Sequence, residues 1–425
     1  MAGKSVAPLG GEPVEGQAVV GKKKRDYKVT NRLQEGKRPL YAITFNFIDS
    51  RFFTIFASAG ANRVTVYQCL EGGPIAVLQA YVDEDVRTPS ISGPSFAFNW
   101  PLCLHLIFFV SSLPLVDFCC SDLCCARFMH YLQKDESFYT VSWACDNEGL
   151  PLLVASGSNG VIRVIDCSKE NLLKTLVGHG DSVNELRTQA LKPCLVISAS
   201  KDESIRLWNV TTNVCILVMA GAGGHRNEVL SVDFHPSDMH QIASCGMDNT
   251  IKLWNIKDFW VWVEKSFTWT ESPSKFPTKY VQFPVFNALV HSNYVDCTRW
   301  LGDFILSKSV DNEIVVWEPL LKEHSGTEGA VDVLQKYPVP ECDIWFIKFS
   351  CDFHFNTLAI GNREGKVFVW EPQSSPPNLL AKLSHSQCKS PVRQTATSFD
   401  GSTILCCCED GSIWRWDGSS ASTSN

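Results

Sequence analysis

Short apolar runs that alternate with period two recur along this chain, and turn residues separate them. Seven segments share one template: an apolar run, a step of small residues, a polar turn and a second apolar run. They are TIFASAGANRVTVYQ, LLVASGSNGVIRVID, LVISASKDESIRLWN, QIASCGMDNTIKLWN, FILSKSVDNEIVVWE, TLAIGNREGKVFVWE and TILCCCEDGSIWRWD. Such alternation is typical of half-buried strands, and a polar turn between two runs is typical of a hairpin. The pattern predicts seven repeated β-units, and helical periodicity is weak throughout.

Two of the repeats carry a Gly-His pair upstream of their turn. His179 precedes Asp202 and His225 precedes Asp248, and each aspartate lies 23 residues after its histidine. This constant spacing fits a histidine that is hydrogen-bonded to the turn aspartate of the same four-stranded unit. Because RLWN and KLWN end these two repeats, the chain resembles the WD40 family.

This resemblance implies an all-β fold, a seven-bladed WD40 β-propeller over residues 26–417. A closed ring of blades leaves few exposed sheet edges. The segment DYKVTNRL (26–33) is predicted to supply the outer strand of the last blade, so that an N-terminal strand closes the ring. Residues 1–25 and 418–425 are predicted to be disordered tails.

Composition narrows the function classes. The chain has 425 residues, 45% of them hydrophobic, and a net charge of −7. Proteins that bind nucleic acid usually carry a basic excess, so direct sequence-specific binding of nucleic acid is not expected. The first residues lack the apolar segment of a signal peptide, so the 18 cysteines are expected to be reduced. No Cys/His set has zinc spacing, and neither a metal nor another cofactor is expected.

Two motifs resemble catalytic sequences but do not fit their chemistry. GNREGK (361–366) has three residues between its glycines where a phosphate-binding loop needs four, and Val367 replaces the required serine or threonine. SPSK (272–275) resembles a Ser-x-x-Lys nucleophile motif but lies in a proline-containing loop without supporting partners. The sequence therefore predicts a protein that is not an enzyme.

A propeller binds ligands at the mouth of its central channel, where the innermost strand of each blade begins. These strands align as YAITF, YTVSW, NELRT, LSVDF, DCTRW, WFIKF and RQTAT. Their first positions are Tyr41, Tyr139, Asn184, Leu230, Asp296, Trp345 and Arg393. Aromatic residues therefore occupy this position in blades 1, 2 and 6, which are close neighbours in a ring of seven, and Phe346 follows Trp345.

The aromatic residues at the mouth have two interpretations. They could pack against one another, since aromatic residues are common in strands. Alternatively they form an aromatic cage, whose ring faces attract a quaternary ammonium group by cation–π interaction, as in recognition of methylated lysine. Asp296 and Glu228 would then receive basic residues that flank the methylated lysine, and the acidic net charge points the same way.

A more specific resemblance covers nearly the whole chain, from Tyr27 to Asp417. The segments YKVTNRLQEGKRPLYAITFNF, GHGDSVNELRT, HSNYVDCTRWLGDFILSKSVDNEI, CDIWFIKFS and SIWRWD are similar to the Extra sex combs/EED family, most of all to its plant Fertilization-independent endosperm (FIE) members. The resemblance implies a nuclear, non-catalytic subunit of Polycomb repressive complex 2 that supports gene silencing with the other subunits. One face of the propeller would bind a helix of a SET-domain histone methyltransferase, and the other would bind the trimethylated tail of histone H3.

The family's functional positions map onto this chain residue by residue. Its methyl-lysine cage corresponds to Tyr41, Tyr139, Trp345 and Phe346. Its peptide rim corresponds to Lys348, Arg393, Asn184, Lys201, Glu228 and Asp296. The alternative from another class is a general WD40 interaction adaptor, for example in ubiquitin-ligase or trafficking complexes, whose mouth aromatics only pack.

Residues 86–133, between the first two blades, do not fit the family. Their removal would join AYVDED to KDESFYTVSWA, a passage similar to the family, and would bring the first repeat interval into line with the later ones. Valine codons begin with GT, one glutamine codon is CAG, and 48 codons preserve the frame. We hypothesise that a retained intron encodes this insertion, which sequencing the transcript against the genome tests.

The insertion contains the apolar stretch LHLIFFVSSLPLVDFCC. A membrane span needs about 17–25 apolar residues. Trp100–Val116 barely reaches that length and contains two prolines, and a span here would separate two blades of a closed ring. The sequence therefore predicts an apolar loop rather than a membrane segment.

Deleting residues 86–133 is expected to restore histone-peptide binding and to increase solubility, while methyltransferase binding is at least partly retained in both forms. The insertion precedes Tyr139 on the face of the channel mouth, so its apolar side chains would lie beside the cage. Loop entropy is a minor obstacle, since each doubling of loop length costs about 0.6 kcal/mol. Titration of a trimethyl-lysine peptide into monomeric forms with and without 86–133 measures the effect. Equal affinities would show that the insertion leaves the mouth open.

Overall fold

Each of the seven repeats forms the two middle strands of one sheet, and an inner and an outer strand complete it. A computed structural model describes residues 24–83, 136–167, 171–320 and 329–418. Within these ranges the chain forms seven sheets, one short α-helix and three 3-10 turns. The seven-bladed β-propeller predicted from the repeats is confirmed.

The closing strand and the first four blades have the following bounds. The closing strand is β1 (Tyr27–Gln34). Blade 1 contains β2 (Leu40–Phe45), β3 (Ile55–Gly60), β4 (Arg63–Cys69) and β5 (Ile75–Val82). Blade 2 contains β6 (Phe138–Cys145), β7 (Pro151–Gly157), β8 (Ile162–Asp166) and β9 (Asn171–Leu176). Blade 3 contains β10 (Val183–Thr188), β11 (Leu195–Ser200), β12 (Ile205–Asn209) and β13 (Val214–Met219). Blade 4 contains β14 (Val229–Phe234), β15 (Gln241–Gly246), β16 (Ile251–Asn255) and, after α1 (Trp260–Phe267) and β17 (Lys279–Val281), β18 (Phe286–Ala288).

The last three blades continue the same order. Blade 5 contains β19 (Val295–Leu301), β20 (Phe304–Ser309), β21 (Glu313–Pro319) and β22 (Val331–Pro338). Blade 6 contains β23 (Ser350–Cys351), β24 (Leu358–Gly361), β25 (Val367–Glu371) and β26 (Asn378–Leu383). Blade 7 contains β27 (Val392–Thr397), β28 (Thr403–Cys408) and β29 (Ser412–Gly418). The 3-10 turns are Ser50–Phe52, Lys257–Phe259 and Pro273–Lys275.

The ring closes as predicted, because β1 pairs with β29 as the outer strand of blade 7. The antiparallel register begins with Tyr27 opposite Gly418. Side chains of β1 alternate between partly buried and exposed, as expected for an outer strand that covers one face. Just before β1, Arg25 donates a hydrogen bond to Thr357 of blade 6 at 2.9 Å. The N-terminal strand therefore joins the last blade to the first.

Blade 4 contains an excursion that the sequence pattern did not predict. Between β16 and β18 the chain forms α1 and then β17, which pairs in parallel with β13 at the outer edge of blade 3. Val263 and Ser266 of α1 are buried, and the amide of Asn209 donates a hydrogen bond to Ser266 Oγ at 3.1 Å. The segment FWVWV (259–263) consists only of aromatic and β-branched residues, a composition typical of a strand. Packing of Val263 into the core between blades 3 and 4 favours the helix instead.

The two sides of the insertion meet at one arginine. Arg163 of blade 2 lies 2.7 Å from Asp83 and also forms an ion pair with Glu136. Asp83 follows β5 and Glu136 precedes β6, so both sides reach the same guanidinium. The predicted insertion, 86–133, lies outside the described residues, as does most of each predicted tail. These boundaries stay predictions.

In blades 3 and 4, the predicted His–Asp pairs are parts of longer hydrogen-bonded chains. His179 Nδ1 is 2.8 Å from Asp202 Oδ2, and His179 Nε2 is 2.6 Å from Ser198 Oγ, which accepts the indole N–H of Trp208 at 2.9 Å. Blade 4 repeats the arrangement with His225, Asp248, Ser244 and Trp254. Burial holds the pKa of both histidines below the usual value. Each series of hydrogen bonds connects a turn to its blade through a neutral imidazole.

Blade 5 has a related chain that the sequence did not reveal. His291 Nε2 lies 2.8 Å from Ser307 Oγ, and Trp317 donates its indole N–H to the same oxygen at 3.0 Å. The turn residue Asp311 is 3.9 Å from His291 Nδ1, which is too far for a hydrogen bond. Burial lowers the pKa of His291 to about 4. Val290 replaces the glycine of the other repeats, so the Gly-His signal is missing.

The fold is expected to lose stability as the pH falls below about 6.5, in part through His291. This histidine has a pKa of about 4 in the folded chain and about 6.5 in the unfolded chain. Between these pH values the unfolded state binds more protons than the folded state. The free energy of unfolding therefore decreases as the pH is lowered from about 6.5 to about 4, by up to about 3 kcal/mol for this group. Equilibrium denaturation across this range measures the slope. His291→Gln should flatten it and the exposed control His354→Gln should not; equal slopes for all three proteins would contradict this origin.

Candidate functional site

Six inner strands have a β-bulge at the position that the alignment places at the channel mouth. The pairing register shifts at the second residue of β2, β6, β10, β14, β19 and β27. The bulged residues are Tyr41, Tyr139, Asn184, Leu230, Asp296 and Arg393. A bulge leaves one residue out of the ladder and redirects its side chain. At these six positions, near the start of each strand, the side chain no longer follows the alternation between the two faces of the sheet.

Blade 6 presents its mouth residues through a different backbone conformation. Phe346 has a φ of 63°, in the left-handed region that bulky residues seldom adopt. Two residues later, the Lys348 N–H donates a hydrogen bond to the Arg393 carbonyl of blade 7 at 2.8 Å. Strained backbone persists where the surrounding structure holds it, often at functional sites. The contact with blade 7 holds this segment beside the bulged strands.

Three aromatic rings meet at the mouth. The ring centroids of Tyr41 and Tyr139 are 5.3 Å apart, and those of Tyr41 and Phe346 are 5.6 Å apart. Tyr139 and Phe346 are 6.1 Å apart. The ring planes cross at 83°, 88° and 70°, so the three rings are nearly perpendicular to one another and form an aromatic corner. Trp345 lies 5.7 Å from Phe346 at 76°, so all four predicted cage residues form one cluster from blades 1, 2 and 6.

The solvent exposure of the four aromatic side chains increases from the channel toward the surface. Phe346 is 5% exposed, Tyr41 and Tyr139 are half-buried, and Trp345 is 44% exposed. Burial raises the pKa of Tyr139, so its hydroxyl stays protonated. The inner rings therefore offer a poorly hydrated surface, on which cation–π attraction is stronger than in water, and Trp345 forms the accessible outer wall.

Arg393 of blade 7 holds the backbone of Trp345. Its guanidinium donates from Nη1 to the Trp345 carbonyl and from Nη2 to Glu409, both at 2.8 Å. A cleft of about 830 Å³ opens beside these residues between blades 6 and 7. Arg393 is therefore at the mouth, as predicted for the rim, but its side chain already fixes the outer cage wall.

Three predicted rim residues are not on an exposed rim, and their assignment is corrected. Lys348 is 2% exposed, Asn184 is 3% exposed and Asp296 is fully buried. Both side chains are bound to adjacent blades: Asn184 donates a hydrogen bond to the Val229 carbonyl of blade 4, and Asp296 accepts one from the Ile347 N–H of blade 6. Lys201 and Glu228 do lie at the surface, as an ion pair with 3.3 Å between Nζ and Oε1.

Buried charges fill the channel next to the cage. Glu185 lies 3.3 Å from Lys348 and 2.6 Å from Arg299. Burial alone would raise the pKa of Glu185, but the charges of Arg299 and Lys348 lower it to about 2. Lys308 and Asp296 form a second buried pair at 2.9 Å. The sequence did not reveal Glu185, Arg299 and Lys308, because a charged residue in a strand ordinarily indicates an exposed face.

The far ends of the same inner strands carry a second aromatic cluster, the opposite-face stack (Phe47, Phe53, Phe353 and Phe399). Phe399 stacks on Phe53 at 4.2 Å and on Phe353 at 4.6 Å, and Phe47 lies 6.1 Å away. Phe47, Phe353 and Phe399 follow β2, β23 and β27. Because these strands begin at the mouth, the stack lies on the other face of the propeller. Phe353 is 54% exposed there.

In the described ranges, no group of three or more His, Cys, Asp and Glu side chains is placed to hold a metal ion. None of the helices in those ranges is long and apolar enough to cross a membrane.

Comparison with known proteins identifies the family. The model for the WD domain, G-beta repeat (WD40), matches residues 170–209, 214–255 and 378–417. Polycomb group protein FIE1 of Oryza sativa subsp. japonica is 65% identical over 417 residues, covering 97% of this chain and 98% of that protein. Polycomb protein esc of Drosophila melanogaster is 34% identical and covers 93% of this chain and 85% of that protein. The chain belongs to the FIE/esc family of Polycomb group proteins.

The FIE/esc fold also resembles solved structures. A chain in the structure of the Chaetomium thermophilum Polycomb repressive complex 2 with H3K27me3 and H3K27M aligns with a TM-score of 0.66 and covers 93% of this chain and 97% of that chain. The sequences are 16% identical, so this likeness concerns the fold. The family predicted from the sequence segments is confirmed by the FIE1 and esc relatives.

Proposed function

We propose that this chain is the non-catalytic WD40 subunit of Polycomb repressive complex 2, which binds the trimethylated tail of histone H3 at the channel mouth. The observation that carries the proposal is the corner of three nearly perpendicular rings from blades 1, 2 and 6, with Trp345 beside it. A trimethylammonium group has no N–H donor and a spread positive charge, so it is best held by several ring faces at once. This corner supplies such faces.

The surroundings of the cage support a basic peptide. The chain has a net charge of −7, and Glu228 lies at the mouth with only Lys201 as its ion-pair partner among the described residues. Membership of the FIE/esc family and the histone mark in the Chaetomium complex both favour histone H3 as the source of the peptide. We therefore assign Tyr41, Tyr139, Trp345 and Phe346 to the cage.

The opposite face is proposed to bind the SET-domain methyltransferase. Four phenylalanine rings gather there, and Phe353 remains more than half exposed. An exposed aromatic group on a polar rim is typical of a surface that receives the apolar side of a partner helix. The chain would then act in the nucleus as a scaffold that places the enzyme and the histone tail on opposite faces.

The alternative function is a general WD40 adaptor without methyl-lysine recognition. Edge-to-face contacts at 5.3–6.1 Å are also what ordinary aromatic packing gives. The two functions differ in one measurable property, because a packing cluster would not distinguish trimethylated from unmodified peptides.

Trp345→Ala and Tyr139→Ala are each expected to weaken binding of a trimethyl-lysine histone H3 peptide several-fold to about thirtyfold. One cation–π contact contributes about 0.5–1 kcal/mol when exposed and about 2 kcal/mol when desolvated. Isothermal titration with trimethylated and unmodified peptides measures the loss. Val177→Ala, at an exposed site between blades 2 and 3, is the control for a surface truncation. Unchanged curves for both cage variants would reject the cage.

Phe353→Ala is expected to reduce co-purification of the methyltransferase while leaving peptide binding intact. Removing this ring leaves the opposite-face stack without its most exposed member, and the mouth lies at the other ends of the strands. Trp345→Ala should show the reverse behaviour, with the methyltransferase retained and the peptide lost. Retention of the methyltransferase by Phe353→Ala would argue against this face as its docking surface.

A further inference from the structure

The Lys348 ammonium occupies the channel beside the inner wall of the cage. Its Nζ lies 4.9 Å from the centroid of the Phe346 ring. The same nitrogen donates to the Asn184 carbonyl at 3.1 Å and to the Leu230 carbonyl at 3.2 Å, and it lies 3.3 Å from Glu185 Oε2. One side chain of blade 6 thus reaches across the channel and takes up three acceptors of blades 3 and 4.

Two further cations of the protein occupy acceptors at the mouth. Lys308 donates to Asp296 at 2.9 Å and to the Ile344 carbonyl at 3.3 Å. Arg393, as described above, binds the Trp345 carbonyl and a carboxylate. These carbonyl and carboxylate groups are thus bound to ammonium and guanidinium groups of the protein itself, while Asp296 Oδ1 has no hydrogen-bond partner among the described residues.

This arrangement bears on lysine methylation because the two ligand forms differ in hydrogen bonding. Both unmodified and trimethylated lysine carry one positive charge. Repulsion by the Lys348 ammonium therefore weakens the binding of both forms by a similar amount. The unmodified ammonium has three N–H donors, which lose their water when it is buried and need acceptors in exchange. Trimethylammonium has no such donor and needs none.

We propose that Lys348 is a specificity-determining residue of the cage, because it occupies the acceptors that an unmodified lysine ammonium would require. This inference rests on the proposed methyl-lysine function and deepens it. The rings attract either form of the lysine side chain. Because Lys348 already binds the carbonyls of Asn184 and Leu230 and the carboxylate of Glu185, these groups are not available to accept the N–H groups of an unmodified ammonium. Selection against unmodified lysine then comes from the protein's own hydrogen bonds.

The test is the ratio of dissociation constants for two histone peptides that differ only in methylation. Lys348→Met keeps an unbranched chain but leaves the carbonyls of Asn184 and Leu230 unpaired, while Glu185 keeps Arg299 as its partner. The unmodified peptide should bind more tightly to this variant, and the ratio should fall about tenfold, the effect of about one hydrogen bond to a charged group. Lys348→Arg, whose guanidinium can donate to the same oxygens, should keep the ratio.

The matched control is Lys382→Met in the outer strand of the same blade. Lys382 is exposed and its Nζ lies 5.3 Å from the Phe368 ring, so the control removes a similar cation–π contact away from the mouth. Circular dichroism establishes that each variant is folded, and Lys348→Leu, which also has no hydrogen-bond donor, replaces Lys348→Met if that variant does not fold. A folded neutral variant with the wild-type ratio would overturn this inference alone. A wild-type chain without preference for the trimethylated peptide would overturn both the inference and the proposed function.

Discussion

The site depends on closure of the ring by pairing of β1 with β29. Tyr41 belongs to the first blade and Trp345 and Phe346 to the sixth, so they approach each other only when blade 7 stands between blades 6 and 1. Blade 7 is complete only when the N-terminal strand covers its outer edge, because an unpaired edge would expose a row of backbone donors and acceptors. Closure therefore removes a sheet edge and assembles the aromatic corner in one step.

Closure also makes the channel narrow, which explains its charges. Seven inner strands face one another across a space where water has little access, and charged side chains there are stable only when paired. Glu185 satisfies this condition with Arg299 and Lys348, and Asp296 satisfies it with Lys308. The two pairs of Glu185 connect blade 3 with blades 5 and 6, neither of which is adjacent to blade 3. They fix the relative positions of the blades, and the inner cage ring Phe346 lies against one of them.

Each inner strand links two faces with different surfaces. The beginnings of β2 and β27 contribute Tyr41 and Arg393 at the mouth, and their far ends lead to Phe47 and Phe399. A strand is short and stiff, so the distance between the two faces is set by the blade itself. A scaffold of this kind can hold two partners at a constant separation without a hinge between them.

The sequence by itself determined what local repetition can determine. The period-two runs identified seven strand pairs, the Gly-His spacing identified His179 with Asp202 and His225 with Asp248, and DYKVTNRL was recognised as the closing strand. These features are contained in single blades or in their direct pairing.

Tertiary structure alone decided burial at the mouth and contacts across the channel. The family resemblance placed Lys348 and Asp296 with Lys201 and Glu228 on one rim, but the first two are buried, Lys201 is exposed and Glu228 is partly exposed. Likewise α1 and the opposite-face stack arise from contacts between segments far apart in the chain. Sequence patterns record which side of a strand a residue occupies, whereas bulges and neighbouring blades decide whether that side faces water.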